Sequence, residues 1–331
     1  MSNDNTGIEW TDATWNPVTG CSKVSDGCRF CYAETVSHRW GWTSKPWTHP
    51  HAAENVVMHP ERLDQPLRWQ KPRRIFVNSM SDLFHELVPI EFVDKVFGVM
   101  AGAPRHTFQV LTKRPERMRE YLSDPETKFR IWNAGRGVQS SSDNSNVRHR
   151  DWYDLVPVAG PGKGPEWCYP AQWPLPNVWV GTSVEDQRVI GRVTDLVATP
   201  AALRFLSCEP LIGPLSLSMI DYNPPGTEGL AGAYSPLTGE WWPALGHPDD
   251  EYDGRVLDGP RLGWVIVGGE SGANHRPINP QWVRTLRDEC AAAGVPFFFK
   301  QWGGNTAKSG GKDLDGRTWE EMPALEAVVS A

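Results

Sequence analysis

Short apolar runs rich in β-branched and aromatic residues recur along the chain, and each is followed by polar residues and then by a segment with helical periodicity. Such runs are typical of buried parallel strands. A seventh, less regular run over Ala13–Val18 leads directly into Cys21 and also predicts a strand. The six clearest runs are Arg74–Val77, Phe108–Leu111, Val178–Val180, Leu203–Leu206, Trp264–Val267 and Val295–Phe299.

Three segments between these runs carry the apolar stripe of a core-facing helix. They are Ile90–Ala101, Val184–Ala198 and the segment that begins with Asn279 as N-cap and stops at Gly294. Alternating strands and helices predict parallel pairing with right-handed crossovers. We therefore expect an α/β fold, a parallel (βα)n barrel or partial barrel. A doubly wound open sheet is the alternative, because periodicity does not determine whether a sheet closes.

Two long segments, 133–176 and 216–262, interrupt the alternation and are rich in Gly and Pro. Loops of this length in a compact domain are usually functional. We expect residues 1–331 to form a single barrel domain, with these two segments as insertions.

The charge is distributed unevenly along the chain. The 331 residues carry a net charge of −7, which at first argues against a nucleic-acid partner. However, the insertion 216–262 alone holds eight acids against two arginines, whereas residues 61–150 hold sixteen Lys and Arg against eleven acids. The basic segment permits a nucleic acid on one side of the protein, and a solvated face of mixed charge is the alternative interpretation.

Apolar stretches are too short to cross a membrane, which takes about 18 residues or more. Residues 1–12 are polar and mildly acidic, unlike a signal peptide. We expect a cytoplasmic protein with no membrane partner.

Three of the six cysteines, Cys21, Cys28 and Cys31, are crowded into one segment, with six residues between the first two and two between the last two. Three thiolates on one loop can hold three irons of a [4Fe-4S] cluster and leave the fourth iron open to a small ligand. A zinc site would need a fourth ligand such as His38, and a redox pair at Cys28 and Cys31 is a third interpretation. Zinc knuckles usually come as two Cys-x-x-Cys pairs, and only one occurs here, so the spacing favours the cluster.

A set of short segments spans nearly the whole chain and carries a family resemblance. These segments are Thr14–Cys21, Gly27–Ala33, Asn78–Phe84, Leu111–Pro115, Ser207–Leu211, Val267–Gly272 and Lys300–Gly303. They resemble a phage-associated family of uncharacterised proteins named after phage gene products thirty-seven and sixty-eight, an outlying branch of the radical S-adenosylmethionine (SAM) superfamily. The usual superfamily motif has three residues between its first two cysteines instead of six, and an aromatic residue before the last one, which Phe30 matches.

The resemblance implies a radical SAM barrel of the TIM-like type. In such enzymes a reduced cluster cleaves SAM to a 5′-deoxyadenosyl radical, which abstracts hydrogen from an unactivated carbon. The implied substrate is nucleic-acid-linked, a modified thymidine or base in phage DNA hypermodification. The implied electron donor is of the flavodoxin or ferredoxin type. The alternatives are a DNA photolesion repair lyase of the same superfamily and a zinc-stapled nucleic-acid-binding accessory protein.

Polar residues directly follow the apolar runs, and the carboxyl ends of parallel strands form the active face of such folds. Among the catalytic candidates, a thiol at Cys208 could donate a hydrogen atom to a carbon radical, although free cysteines are more often buried and inert. Gly268–Glu270 is the only Gly-Gly-Glu, and it follows a late strand, whereas the superfamily's SAM-binding Gly-Gly-Glu follows the second strand. The cofactor-binding candidates are Phe30, Tyr32, Asn78, Ser79, Asp82, Thr182, Ser183, Glu185 and Glu270, and the catalytic candidates are Cys208, Glu209 and Lys300.

Overall fold

The structure, a computed structural model, describes residues 6–141, 155–158, 167–170, 172–222, 232–243, 259–306 and 308–324. Its strands are β1 Ala13–Trp15, β2 Val18–Thr19, β3 Val57–Met58, β4 Arg74–Val77, β5 Thr107–Thr112, β6 Leu155–Val158, β7 Trp167–Pro170, β8 Val178–Ser183, β9 Leu203–Cys208, β10 Gly232–Tyr234, β11 Trp241–Pro243, β12 Trp264–Gly268, β13 Phe297–Gln301, β14 Asp313–Leu314 and β15 Arg317–Thr318. The described helices are α1 Tyr32–Arg39, α2 Ala52–Asn55, α3 Gln65–Arg68, α4 Ile90–Ala101, α5 Pro115–Ser123, α6 Thr127–Ser141, α7 Gly191–Ala198 and α8 Pro280–Ala293.

Seven strands form one parallel sheet in the order β1-β4-β5-β8-β9-β12-β13. This order follows the chain and never reverses, whereas a doubly wound sheet reverses at its switch point. The two outer strands, β1 and β13, do not pair with each other within the described part of the chain. The sheet is therefore a curled half-barrel, which confirms the predicted α/β fold with a partial barrel.

Both faces of the sheet are buried, because alternate side chains of each strand belong to different apolar clusters. On one face, Phe76, Trp179, Phe205 and Trp264 pack around Trp10 from the N-terminal segment. The alternate residues of the same strands pack against the apolar stripes of the helices; they include Ile75, Val77, Val178, Val180, Leu206, Val265 and Val267. The aromatic cluster fills the inner face of the sheet. Polar residues lie instead at the edge of the sheet where the strands end. We call this the carboxyl edge.

Local signals explain which helix predictions are confirmed. α4 occupies Ile90–Ala101 as predicted. α8 is capped as predicted, because the side chain of Asn279 accepts from the N–H of Gln281 and Gly294 adopts a φ of 67°.

The prediction of a helix over Val184–Ala198 is wrong at its start. The carboxylate of Asp186 accepts from the N–H of Arg188 and caps a single 3₁₀ turn, so α7 begins only at Gly191. Residues 184–186 instead continue outward from β8, which places Glu185 at the carboxyl edge. The strand predicted over Ala13–Val18 is split into β1 and β2.

The two interrupting segments contain antiparallel hairpins where they are described. In 133–176, α6 continues to Ser141 and β6 pairs with β7. In 216–262, β10 pairs with β11. Six of the eight acids of the second segment lie outside the described residues. Within the described residues, none of the helices has the length and apolar character needed to cross a membrane.

Candidate functional site

The loop that carries the three cysteines crosses the carboxyl edge. It is anchored beside β4, because the N–H of Gly20 donates to the carbonyl of Met80 over 3.0 Å. Gly20 has a φ of 81°, and a Cβ there would lie 1.8 Å from the carbonyl oxygen of Asn55. Only glycine fits this position. Cys21 follows directly and is therefore held at the edge of the sheet.

Cys21, Cys28 and Cys31 line one cavity of about 150 Å³, which we call the cysteine cavity. Cys28 ends a 3₁₀ turn, and Cys31 directly precedes α1. Five predicted cofactor-binding residues line the same cavity: Tyr32, Asn78, Ser79, Asp82 and Ser183. Folding thus brings the cysteine loop together with the end of β4, about 50 residues later in the chain, and with the end of β8, about 150 residues later.

Asn78 places an unsatisfied donor in the cavity wall. It is 2 % exposed and adopts a φ of 61°, which turns the chain directly after β4. Its side-chain oxygen accepts from the N–H of Val18 over 3.3 Å, but its Nδ2 has no hydrogen-bond partner among the described residues. Buried donors are nearly always paired, so this group fits a site at which an acceptor binds.

Asp82 is buried, and its carboxylate is fully engaged by protein donors. One oxygen accepts from the hydroxyl of Thr112 over 2.7 Å, and the other accepts from the N–H of Lys113 over 3.0 Å and from Arg114 over 3.1 Å. A carboxylate with this many donors is a structural anchor. Its main effect is to hold Arg114 in place.

Arg114 links this anchor to the cysteines. Its guanidinium donates to Asp82, to the hydroxyl of Ser22 over 3.0 Å and to the Sγ of Cys21 over 3.6 Å. Burial and the charge of Asp82 raise the pKa of the Cys21 thiol, Arg114 opposes both, and the resulting pKa is about 12. The thiol is therefore protonated until a cation binds it, since a coordinated thiol loses its proton.

Cys31, at the other end of the loop, is likewise partly buried. Burial raises the pKa of the Cys31 thiol, while the N–H groups of Glu34 and Ala33 in the first turn of α1 lower it. The hydroxyl of Tyr32 donates to the carbonyl of Ser79 over 2.5 Å, which ties α1 to the loop after β4.

Glu185, predicted to bind a cofactor, contacts the cysteine loop. One carboxylate oxygen accepts from the N–H of Gly27 over 3.3 Å, and the other accepts from Arg192 over 2.9 Å. A Cβ on Gly27 would lie 2.9 Å from the carboxyl carbon of Glu185, so the absence of a side chain allows this approach.

Glu270 has a comparable role on the opposite side of the loop. Arg276 donates to its two oxygens over 2.6 and 2.9 Å, and the same guanidinium donates to the carbonyl of Asp26 over 2.9 Å. The guanidinium carbon also lies 5.5 Å from the ring centre of Phe30. Glu270 and Phe30 thus meet through Arg276, and neither lines the cysteine cavity.

Glu209 and Lys300, two of the predicted catalytic residues, form an ion pair at the ends of β9 and β13. The Lys300 ammonium lies 2.5 Å from a carboxylate oxygen of Glu209, and both side chains are about one-fifth exposed. Glu209 acts electrostatically on Tyr32, which lines the cysteine cavity. The ion pair therefore lies within electrostatic range of the cysteine cavity.

Cys208 and Thr182 are not brought to the cavity. Cys208 is 0 % exposed and belongs to the apolar cluster on the helix side of the sheet, near Cys290 of α8. Burial raises the pKa of its thiol well above the ordinary value, and nearby acidic groups raise it further. The hydroxyl of Thr182 is buried and donates to the carbonyl of Thr112 over 2.8 Å.

Three arginines that contact the site are not among the site residues predicted from the sequence. Arg114 had a usable signal, because it lies three residues after the predicted strand Phe108–Leu111. Arg192 and Arg276 had none. Each pairs with a carboxylate seven or six positions away, Glu185 or Glu270, and these pairs meet the cysteine loop only in the folded chain. Within the described residues, no three His, Cys, Asp or Glu side chains form a group that could hold a single metal ion.

Comparisons with known proteins add one family to this picture. No curated protein and no solved structure matches the chain. A family model matches residues 5–323, nearly the whole length, and its description is "Protein of unknown function (DUF5131)". The chain, with its half-barrel and its three-cysteine cavity, belongs to the DUF5131 family.

Proposed function

We propose that this protein is a radical SAM enzyme in which Cys21, Cys28 and Cys31 hold a [4Fe-4S] cluster. The observation that carries the proposal is that three thiols of one loop line a single cavity at the carboxyl edge of a parallel half-barrel. Active sites of such sheets lie at this edge.

The donor set fits such a cluster. Each thiolate of a cluster binds a different iron, so the three sulfurs need not converge on one point as the ligands of a single zinc ion must. Three ligands leave one iron for SAM. When bound, the reduced cluster supplies the electron that cleaves SAM to a carbon radical.

The chain's own residues support this chemistry by position and charge. Arg114 stabilises the thiolate of Cys21, and Asp82 holds Arg114. The free Nδ2 of Asn78 is available to a carboxylate or hydroxyl of SAM, and Ser183 adds a polar group to the same wall. These groups bind and orient the cofactor.

Glu185 and Glu270 act as positioning residues in this proposal. Glu185 accepts from the N–H of Gly27, and Glu270 holds Arg276, which donates to the carbonyl of Asp26. Gly27 and Asp26 lie just ahead of Cys28. Their carboxylates keep the cysteine loop in place, so we do not assign the SAM amino group to Glu270.

Glu209 and Lys300 are assigned to the substrate. Lys300 offers a cation to an anionic group such as a phosphate, and Glu209 offers a proton acceptor beside it. The substrate class is a nucleic-acid-linked nucleotide, with a modified thymidine or base in phage DNA as the preferred member.

Anaerobic purification followed by iron and sulfide analysis tests the proposal. We expect about four irons per chain, since each cubane holds four, and we expect Cys28→Ala to lose them. Cys290→Ala is the matched control, because Cys290 lies in the helix-side core. Colourless protein with one zinc and no SAM cleavage under dithionite would contradict the proposal and favour a zinc-stapled accessory protein.

The substrate is tested separately. Holoenzyme is incubated with phage or host DNA that contains deuterated thymidine, and 5′-deoxyadenosine is analysed for deuterium. Transfer of the label assigns hydrogen abstraction to the nucleotide. SAM cleavage without any transfer would remove thymidine as the substrate and keep the radical chemistry.

A further inference from the structure

Two tryptophans at the end of α1 differ from the others. Trp40 is 68 % exposed and Trp42 is 57 % exposed. Every other tryptophan whose side chain the structure describes is buried or partly buried. Among the described residues, neither ring stacks on another aromatic ring or has a cation over its face. Two large apolar rings exposed within three residues of chain lower solubility, so we expect them to have a binding role.

The segment that displays these rings is folded. Gly41 adopts a φ of 68°, which lets the chain turn after α1, and the N–H of Trp42 donates to the carbonyl of Ser37 over 2.9 Å. A ring nitrogen of His38 lies 3.0 Å from the carbonyl oxygen of Lys45, which closes the loop. The two rings are therefore presented on an ordered turn.

The surroundings of the rings are basic. Arg39 and Lys45 are exposed on either side of them, and residues 38–46 contain no acid. Arg29 is exposed nearby, across a cavity that Arg39 also lines. Glu34, an acid of the same helix, is neutralised by Lys23 at 2.9 Å. We call the surface formed by Arg39, Trp40, Trp42 and Lys45 the tryptophan face.

A cavity of about 480 Å³ begins at Arg39, the residue of this face that lines it, and reaches the cysteine loop. Its wall includes His38 and Arg39 at the end of α1, and it extends along the helix to Cys31 and Tyr32. Both Cys31 and Tyr32 also line the cysteine cavity. The loop 271–275 lines the 480 Å³ cavity as well.

We propose that the tryptophan face binds single-stranded nucleic acid, with two bases stacked on Trp40 and Trp42 and a neighbouring nucleotide in the 480 Å³ cavity. Exposed aromatic rings combined with cations are what sequence-tolerant single-strand binding uses. A protein electron donor also suits a basic face, but it has no need of a cavity of nucleotide size that begins at Arg39, next to Trp40 in the chain. The inference rests on the proposed function only for the claim that this nucleotide is the substrate.

Fluorescence anisotropy with a labelled oligodeoxythymidylate of about twelve nucleotides tests the face. The anaerobically purified protein should bind it, and Trp40→Ala and Trp42→Ala should each weaken binding by about tenfold, as expected for the loss of one stacked base. Trp40→Phe should retain most of the affinity. Arg39→Gln should lower the salt dependence of binding, because one phosphate contact is lost. Met219→Ala is the control, since Met219 is an exposed apolar residue elsewhere.

Unchanged affinity of the Trp40→Ala, Trp42→Ala double variant overturns the proposal, as does wild-type protein that binds no oligonucleotide. A double variant that keeps its DNA affinity but is no longer reduced by flavodoxin would assign the face to the electron donor. Iron content, measured on every sample, separates the two claims. Tryptophan-dependent binding by iron-free wild-type protein would overturn the cluster and retain the nucleic-acid face.

Discussion

The helix-side core contains buried cysteines and the carboxyl edge of the sheet contains partly buried ones, and the two regions also differ in what surrounds the sulfur. Cys208 lies among apolar side chains, and another thiol and acidic groups act on it electrostatically. Cys21 borders a cavity and accepts a hydrogen bond from Arg114. Burial raises the pKa of both thiols. A thiol that is buried among apolar side chains is inert, whereas a thiol that borders a cavity and lies beside a cation is available as a ligand.

The largest expected effect comes from exchanging one cysteine in each region. Cys21→Ala should remove the bound iron, because a three-thiolate site loses one of its ligands. Cys208→Ala should keep the iron and lower only the free energy of unfolding, by about 1–2 kcal/mol for a small cavity. Iron analysis and urea unfolding measure the two outcomes. Loss of iron from Cys208→Ala but not from Cys21→Ala would contradict the assignment of Cys21 as the ligand.

The next largest effect is expected for Arg114, whose hydrogen bond to Cys21 distinguishes that thiol from Cys208. Arg114→Gln should lower the free energy of unfolding by about 3 kcal/mol, because Asp82 is left as a buried charge without its partner. Arg114→Lys should recover part of that loss. Arg284→Gln, at the exposed ion pair with Asp315, should leave stability nearly unchanged and serves as the control. Equal effects of the two Gln variants in urea unfolding would contradict the role of Asp82.

A smaller effect should follow from adding one methyl group to the cysteine loop. Gly27→Ala would place a Cβ 2.9 Å from Glu185, and we expect a loss of about 2 kcal/mol together with weaker iron retention. Gly191→Ala is the matched control, because nothing lies within 4 Å of the added Cβ. Thermal unfolding and iron content distinguish the two variants. A Gly27→Ala protein as stable as its control would argue against the close contact between Gly27 and Glu185.

The smallest effect is a pH dependence that both regions share. Burial lowers the pKa of His85, near the cysteine cavity, and of His106, on the helix side, to about 4 each. These two histidines bind protons below about pH 6.5 in the unfolded chain, but only below about pH 4 in the folded one. Stability should therefore fall by about 1 kcal/mol per histidine between pH 7 and 5.5. Urea unfolding of His106→Gln should show a shallower fall, and an unchanged slope would contradict burial as the cause.

Local signals in the sequence predicted most of the sheet. Strands buried on both faces appear as continuous apolar runs, so their positions could be recognised from the chain alone. Capping residues such as Asn279 and Gly294 marked the ends of α8 for the same reason, since they act within one turn. The helix prediction over Val184–Ala198 was wrong at its start, because the side chain of Asp186 accepts from the backbone N–H of Arg188 and caps a shorter turn.

Site residues were harder to predict, because polarity at a strand end does not show what a side chain contacts. Asn78 and Ser183 were predicted, and they line the cysteine cavity. Glu185 and Glu270 looked equally available, yet both are engaged by arginines. Cys208 was selected from its place at a strand end, although the alternation of β9 directs it to the helix side.

By itself, the sequence determined the strand and helix alternation and the crowding of three thiols, since both are set by neighbours in the chain. Only the tertiary structure decided that the sheet is an unreversed half-barrel, that Arg114 reaches Cys21 across 93 positions, and that Gly27 meets Glu185 across 158. Such contacts depend on which strands become neighbours. That choice is made by packing over the whole molecule, and no local pattern records it.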